Sequence, residues 1–144
     1  MTIASIISSF QTFNGTITGV VGAPQTMPGT LTPDLLPCAI TLPGPAFWAP
    51  AGLGGGRKEQ RTYVVRFYVA PASDEAQEVS QAFSAGFALL EAAGVAYRAA
   101  GTIGAGIIVV RGGDRLEDQG MLRTLPYSGQ QFFGFEIRVP ILEQ

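Results

Sequence analysis

The chain has 144 residues, of which 47% are hydrophobic and only 14% are charged. This composition excludes an intrinsically disordered chain, and the length fits one domain with a sizeable core. The net charge of −2 argues against a protein that works mainly by neutralising nucleic-acid phosphates. A chain with no histidine cannot build a Ser-His-Asp, Cys-His or His-ligated zinc site. We expect no catalytic residue, no metal and no cofactor.

Cys38 is the single cysteine, so no internal disulfide can form. Without an imidazole to activate its thiol, Cys38 is interpreted as a small buried hydrophobic residue. The first ten residues lack the basic region of a secretion signal, and no run approaches the roughly 18 apolar residues of a membrane span. The sequence predicts a soluble protein that does not bind membranes.

A short amphipathic helix is predicted at the amino end, over Thr2–Phe13. Its apolar residues recur at helical spacing, at Ile3, Ile6, Ile7 and Phe10.

The stretch from Gly15 to Pro50 contains seven of the ten prolines, which excludes a long helix there. Within it, Leu35–Leu42 is predicted to form a strand that ends at the Pro43-Gly44-Pro45 run. Pro37 places this strand at an edge of the sheet, since proline cannot donate to a central ladder.

A Pro/Gly-rich segment, residues 15–60, contains a glycine-rich loop over residues 52–59. Its glycines precede Arg57 and Lys58, but Glu59 follows directly, so the spacing is not that of a phosphate-binding loop. We interpret it as a flexible surface loop. Just before it, Phe47 and Trp48 fit either core packing or an exposed aromatic anchor for a partner. The candidate interface residues are Phe47, Trp48, Leu53, Arg57 and Lys58.

Two long strands, Arg61–Ala70 and Gln131–Leu142, show clear apolar alternation and are predicted to pair. The apolar faces carry Tyr63, Val65, Phe67 and Val69, and Phe133, Phe135, Ile137, Val139 and Ile141. The second face is mixed and includes Tyr68 and Phe132. Either another subunit or the amino-terminal segments of the same chain would cover it.

A long helix is predicted between these strands, with Asp74 as N-cap, Gln77 three residues later and an end near Ala93. A weaker continuation reaches Tyr97. The predicted buried stripe consists of Ala76, Val79, Phe83, Phe87 and Leu90.

Two further strands are predicted at Gly106–Arg111 and Met121–Tyr127, separated by a polar turn at Gly112–Gly120. Acidic residues in this turn could hold Ca²⁺ or Mg²⁺, but they lack the order of a calcium loop and are interpreted as a solvated turn, at Asp114, Glu117 and Asp118. The elements predict a single α+β domain over residues 1–144. Its sheet is mostly antiparallel, with one long helix and a short N-terminal helix packed on it.

The order of these motifs resembles the tail terminator and minor tail proteins of long-tailed, siphovirus-like bacteriophages. The resemblance is carried by the amino-terminal helix, the Leu36-Pro37 strand leading to Pro43-Gly44, the glycine-rich loop and the strand at residues 61–69. It continues after the long helix through a turn before Leu122, Tyr127-Ser128-Gly129 and the segment at residues 133–137.

This resemblance implies a non-enzymatic virion protein that forms a homo-oligomeric ring, expected to be a hexamer, and is assembled in the host cytoplasm. The expected partners are copies of itself, the tail tube protein and the head-tail connector or neck protein, for head-tail joining. Alternatives are a neck, head-closure or other minor virion protein, or a small ligand-binding domain of a bacterial complex. A ring should oligomerise without ligand, whereas a binding module should hold a small molecule as a monomer or dimer.

Overall fold

A computed structural model describes residues 2–50, 57–73, 75–104, 107–109, 117–118 and 122–143. The helices are α1 (Ile3–Asn14) and α2 (Ala76–Ala99). The strands are β1 (Cys38–Pro50), β2 (Arg57–Pro71), β3 (Ile107–Val109), β4 (Glu117–Asp118), β5 (Arg123–Tyr127) and β6 (Gln130–Glu143). The sheet order is β1-β2-β6-β3, and β4 and β5 also pair with β6. Every pairing of these strands is antiparallel, so the α+β fold with one long and one short helix is confirmed.

The predicted amino-terminal helix is confirmed as α1, with a capping box at its start. The Thr2 hydroxyl accepts a hydrogen bond from the Ser5 backbone N–H at 3.0 Å, and the Ser5 hydroxyl accepts one from the Thr2 N–H at 3.1 Å. Ile6 and Phe10 are buried, while Ile3 is exposed. The helix therefore packs on the sheet through part of its predicted apolar stripe.

The strand predicted at Leu35–Leu42 begins later, at Cys38, because Pro33–Leu35 forms a single 3-10 turn. It also continues through Pro43-Gly44-Pro45, where we expected it to end. The predicted edge position is confirmed, and it explains the extension, because an edge strand can lose an N–H donor without breaking a central ladder.

The two long strands pair as predicted, with Val65 opposite Ile137 and Phe67 opposite Phe135. Their apolar alternation forms the helix-covered face of the sheet. The Phe67 and Phe135 rings stack with centroids 4.8 Å apart, and both side chains are fully buried. This pair lies at the centre of the core.

The long helix α2 contradicts the predicted buried stripe. Asp74 lies outside the described residues, and Glu75 occupies the N-cap position. Phe87 is 59% exposed, and Phe83 is only half-buried. The buried residues are instead Ala82, Gly86, Leu89, Ala93, Gly94 and Tyr97.

The helix is thus rotated by one position from the predicted orientation, because small residues on its buried side allow a close approach. A Cβ atom added at Gly86 would lie 2.7 Å from Leu122 Cδ2, closer than real side chains pack. The prediction chose the side of the helix that carries large apolar residues such as Phe83. The side that is actually buried consists mainly of alanine and glycine.

The second face of the sheet carries a smaller apolar cluster. Tyr68 and Phe132 are buried there together with Cys38 and Leu31. Leu31 belongs to the proline-rich segment, so a part of the same chain covers this end of the face. The interpretation of Cys38 as a buried hydrophobic residue is confirmed, since its side chain is fully inaccessible.

The remaining strands lie in succession along one edge of β6. The strands β3 and β5 fall within their predicted ranges, and a tight turn with positive φ at Ser128 and Gly129 joins β5 to β6. Glu117 and Asp118, which we predicted in a turn, form the two-residue strand β4 opposite Arg138 and Ile137. Asp114 lies outside the described residues.

Candidate functional site

The helix-covered core contains a polar network that joins α1, β1 and α2. The Asn14 amide donates to Gln11 Oε1 at 3.0 Å and to Thr41 Oγ1 at 3.2 Å, and the Tyr97 hydroxyl donates to Asn14 Oδ1. The Gln11 amide donates to the carbonyl oxygens of Pro24 and Ala39 at 2.9 and 2.8 Å. Burial raises the pKa of Tyr97 well above its ordinary value. The sequence alone did not indicate this network, because Gln11, Asn14, Thr41 and Tyr97 are far apart along the chain and form no recognisable motif.

A second polar group lies on the other face of the sheet, around the buried carboxylate of Glu136. Arg66 Nε and Arg123 Nη2 each lie 2.8 Å from one of its two oxygens. Glu136 is thereby paired on both sides, as a carboxylate with only 5% exposure requires. The group is a structural ion-pair cluster that ties β2 and β5 to β6.

We next consider whether the described residues could form a nucleophilic or metal-binding site. Burial raises the pKa of the Cys38 thiol to about 11, which opposes thiolate formation. Among the described residues, no three His, Cys, Asp or Glu side chains are grouped so that they could hold a metal ion.

One exposed surface is the outer stripe of α2, which we define as Phe83, Phe87, Glu91 and Val95. These residues follow one another at four-residue spacing and so share one side of the helix. Phe87 is 59% exposed and Val95 is 61% exposed. Phe83 anchors the stripe by an edge-to-face contact with Phe133, with ring centroids 5.6 Å apart.

A shallow groove runs beside the outer stripe, between α2 and residues 16–18. Its volume is about 450 Å³, and Glu91 and Val95 line it together with Ala88. An exposed apolar patch next to a groove is typical of a surface that binds another protein.

The helix α2 is long and apolar enough to span a membrane by length and composition, with a mean hydropathy of 1.3. Only 28% of that window is buried within the fold, although its inner side packs on the sheet. The hydropathy of the helix therefore has two sources, the residues packed on the sheet and exposed apolar residues such as Phe87 and Val95.

The β1–β2 pair extends beyond the rest of the described sheet in a segment that we call the distal hairpin, defined as residues 47–50 of β1 and 57–60 of β2. The last pair between β2 and β6 is Gln60 with Leu142. The pairing of β1 with β2 continues for three further pairs, from Trp48 opposite Glu59 to Pro50 opposite Arg57. At about 3.3 Å per residue, the described hairpin extends about 10 Å beyond that last pair.

The structure brings four of the five candidate interface residues into this hairpin. Phe47 and Trp48, which we expected in a loop, are in β1 opposite Gln60 and Glu59. Arg57 and Lys58 are in β2, so the loop predicted over residues 52–59 is shorter at its carboxyl end. Leu53 lies outside the described residues.

Comparison of the chain with protein-family models, with curated proteins and with solved structures finds no match.

Proposed function

We propose that this protein is a non-enzymatic structural subunit that assembles into a homo-oligomeric ring, as the tail terminator of a long-tailed bacteriophage. In this proposal the ring is a hexamer in the virion tail, where it joins the tail tube protein to the head-side connector. Of the segments that carry the sequence resemblance, the amino-terminal helix is α1, residues 61–69 lie in β2 and residues 133–137 lie in β6. Leu36-Pro37 directly precede β1, and most of the glycine-rich loop lies outside the described residues.

The observation that carries the proposal is the uncovered outer stripe of α2. A phenylalanine and a valine that are about 60% exposed, Phe87 and Val95, contribute little to folding of a lone subunit. Burial of such residues against another chain would supply free energy for association. Head-to-tail rings need two different surfaces on each subunit, and the outer stripe would be one of them.

The polar interior also supports a structural role. The four buried side chains Gln11, Asn14, Thr41 and Glu136 all have partners within the fold. Catalytic groups are typically held with unusual pKa values in a cleft and left open to substrate. The described network and ion-pair cluster are instead satisfied by the protein itself.

Native mass spectrometry and electron microscopy of the purified chain test the proposal. We expect a closed ring with six times the mass of one chain, and binding of the ring to isolated tail tubes. The double variant Phe87→Ser with Val95→Ser should dissociate the ring. A matched control removes two exposed apolar side chains elsewhere, Val21→Ser with Met27→Ser, and should leave it intact.

Two results would contradict the proposal. A chain that stays monomeric or dimeric at all concentrations and binds a small molecule supports a ligand-binding domain. A ring that binds the connector and never the tail tube supports a neck or head-closure protein.

A further inference from the structure

The ion-pair cluster around Glu136 has more positive than negative charge. Its single buried carboxylate is paired with two arginines, Arg66 and Arg123, through one oxygen each. Arg138 follows Glu136 by two residues in β6, and so it lies on the same face of the sheet. Glu117 occupies the register position opposite Arg138. Three arginines thus meet two acidic residues at these positions, in a chain whose net charge is −2.

Two of these arginines are neighbours on adjacent strands. In the register of β2 with β6, Arg66 is opposite Glu136 and Val64 is opposite Arg138. Arg66 and Arg138 are therefore diagonal neighbours, whose side chains start about 7–8 Å apart and are long enough to approach each other. Arg138 is exposed, and within the described ranges its side chain has no hydrogen bond or ion pair. Two like charges at this separation repel each other unless an anion lies between them.

The guanidinium of Arg66 is held in place by the fold and still has donors to offer. Its Nε lies 2.8 Å from Glu136 Oε1, and its side chain also hydrogen-bonds with Tyr68. A guanidinium has five N–H donors, so donors remain for a ligand. The Arg66 side chain is 30% exposed, which leaves a ligand room to approach. Because Arg123 balances the charge of Glu136, the charge of Arg66 is available for a further anion.

We propose that Arg66 and Arg138 bind a phosphate group on the second face of the sheet, with Arg123 beside them. A phosphate fits this arrangement because its oxygens diverge and can accept hydrogen bonds from guanidiniums on two different strands. The half-buried side chain of Val64, opposite Arg138, offers an apolar contact to a group that carries the phosphate. The outer stripe of α2 lies on the other side of the sheet, so this inference does not depend on the proposed ring.

Isothermal titration calorimetry with inorganic phosphate tests the site, at an ionic strength that sodium chloride keeps constant. We expect saturable binding to the wild-type chain. Arg138→Gln should raise the dissociation constant by about tenfold or more, because it removes a charge-assisted hydrogen bond. This variant is preferred to a change of Arg66, which would take one partner from the buried Glu136. A thermal melt without phosphate checks that the variant is folded.

Arg98→Gln is the matched control, since it removes the same charge from an exposed arginine in α2, on the other side of the sheet. We expect this variant to bind phosphate as the wild type does. Phenyl phosphate, a phosphate monoester, is titrated in parallel to identify the source of the phosphate group. Tighter binding of the ester would indicate that the phosphate belongs to a larger ligand, and equal binding would indicate free phosphate.

Either of two results would overturn the site. The first is a wild-type chain that shows no saturable binding of phosphate or of its ester up to about 10 mM. The second is a dissociation constant that Arg138→Gln raises no more than Arg98→Gln does, since binding would then depend on net charge or on other residues. Neither result bears on the proposed ring, because ring assembly is measured by the mass of the oligomer and not by phosphate binding.

Discussion

The two sides of α2 differ in the size of their residues, and the difference is the reverse of what folding alone would favour. The inner side, against the sheet, is built largely from small residues such as Ala82, Gly86 and Ala93. The outer side has a phenylalanine and a valine that are more than half exposed. A helix optimised only for its own fold would bury the larger side chains, because they gain more from leaving water.

This contrast shows that the residues of α2 that pack on the sheet differ in size from those left exposed to solvent. Small residues on the inner side let the helix backbone approach the strands, and the close packing of neighbouring side chains supplies the stability. The large residues Phe87 and Val95 on the outer side remain exposed and add little to the stability of the fold. Variants on the two sides should therefore have different effects on the free energy of unfolding.

The largest effect is expected beneath the inner side. Phe135→Ala should lower the free energy of unfolding by about 3–5 kcal/mol, because it leaves a cavity beside Phe67. Phe87→Ala, the same change on the outer side, should cost less than about 1 kcal/mol in the monomer. Urea denaturation at low protein concentration measures both, and equal costs would refute the contrast.

An intermediate effect is expected from enlarging a small residue. Gly86→Leu should destabilise the monomer by about 1–3 kcal/mol, since even a Cβ atom there lies too close to Leu122. The comparison variant Ala88→Leu adds a similar bulk on the exposed side and should change stability by about 0.5 kcal/mol or less. Thermal unfolding of the two variants tests whether the close approach on the inner side is required.

A smaller effect is expected at the carboxyl end of the inner side. Tyr97→Phe removes the hydroxyl that donates to Asn14 Oδ1 and should cost about 1–2 kcal/mol at neutral pH. Tyr127 is half-buried, and its hydroxyl donates to the Pro28 carbonyl oxygen. Tyr127→Phe should therefore lower the free energy of unfolding by less than Tyr97→Phe does. Urea denaturation measures the free energy of unfolding of both variants. A larger loss of stability in Tyr127→Phe than in Tyr97→Phe would contradict this prediction.

The same tyrosine predicts a dependence on alkaline pH. Burial raises the pKa of Tyr97 in the folded state, whereas an unfolded tyrosine loses its proton near pH 10. The contribution of the protonated Tyr97 to the free energy of unfolding is therefore fully present below about pH 10. It is lost as the pH rises further, by up to about 1.4 kcal/mol per pH unit. Tyr97→Phe should make the fall in stability above about pH 10 less steep, and an unchanged slope would contradict the assignment.

Much of the fold could be predicted from periodicity. The alternation in β2 and β6 predicted both strands, their buried residues and their pairing, because a period of two is unambiguous when one face is covered by helices. The α1 helix followed from the spacing of Ile6 and Phe10. These segments have a single apolar pattern, so the pattern identifies the buried side.

The orientation of α2 could not be predicted in this way, because its sequence is apolar on two sides. Alanine and glycine contribute little to an apolar pattern, yet Ala82 and Gly86 determine which side approaches the sheet. The prediction of a turn at Glu117 and Asp118 was wrong for a related reason. These two residues form a strand by pairing with the edge of β6, and such a long-range pairing leaves no local pattern in the sequence. Trp48 and Arg57 were chosen as candidates for their residue types. That they lie in one hairpin could not be predicted, because it depends on the pairing of β1 with β2.

The prolines of β1 limit how the edge of the described sheet can pair with another strand. This strand ends the described sheet, and Pro43, Pro45 and Pro50 each remove a backbone N–H from it. Strands of separate chains cannot form an unbroken hydrogen-bond ladder along such an edge, which is a common means of protecting β-sheets from runaway aggregation. The protein could thus be concentrated without its sheets joining edge to edge into fibrils.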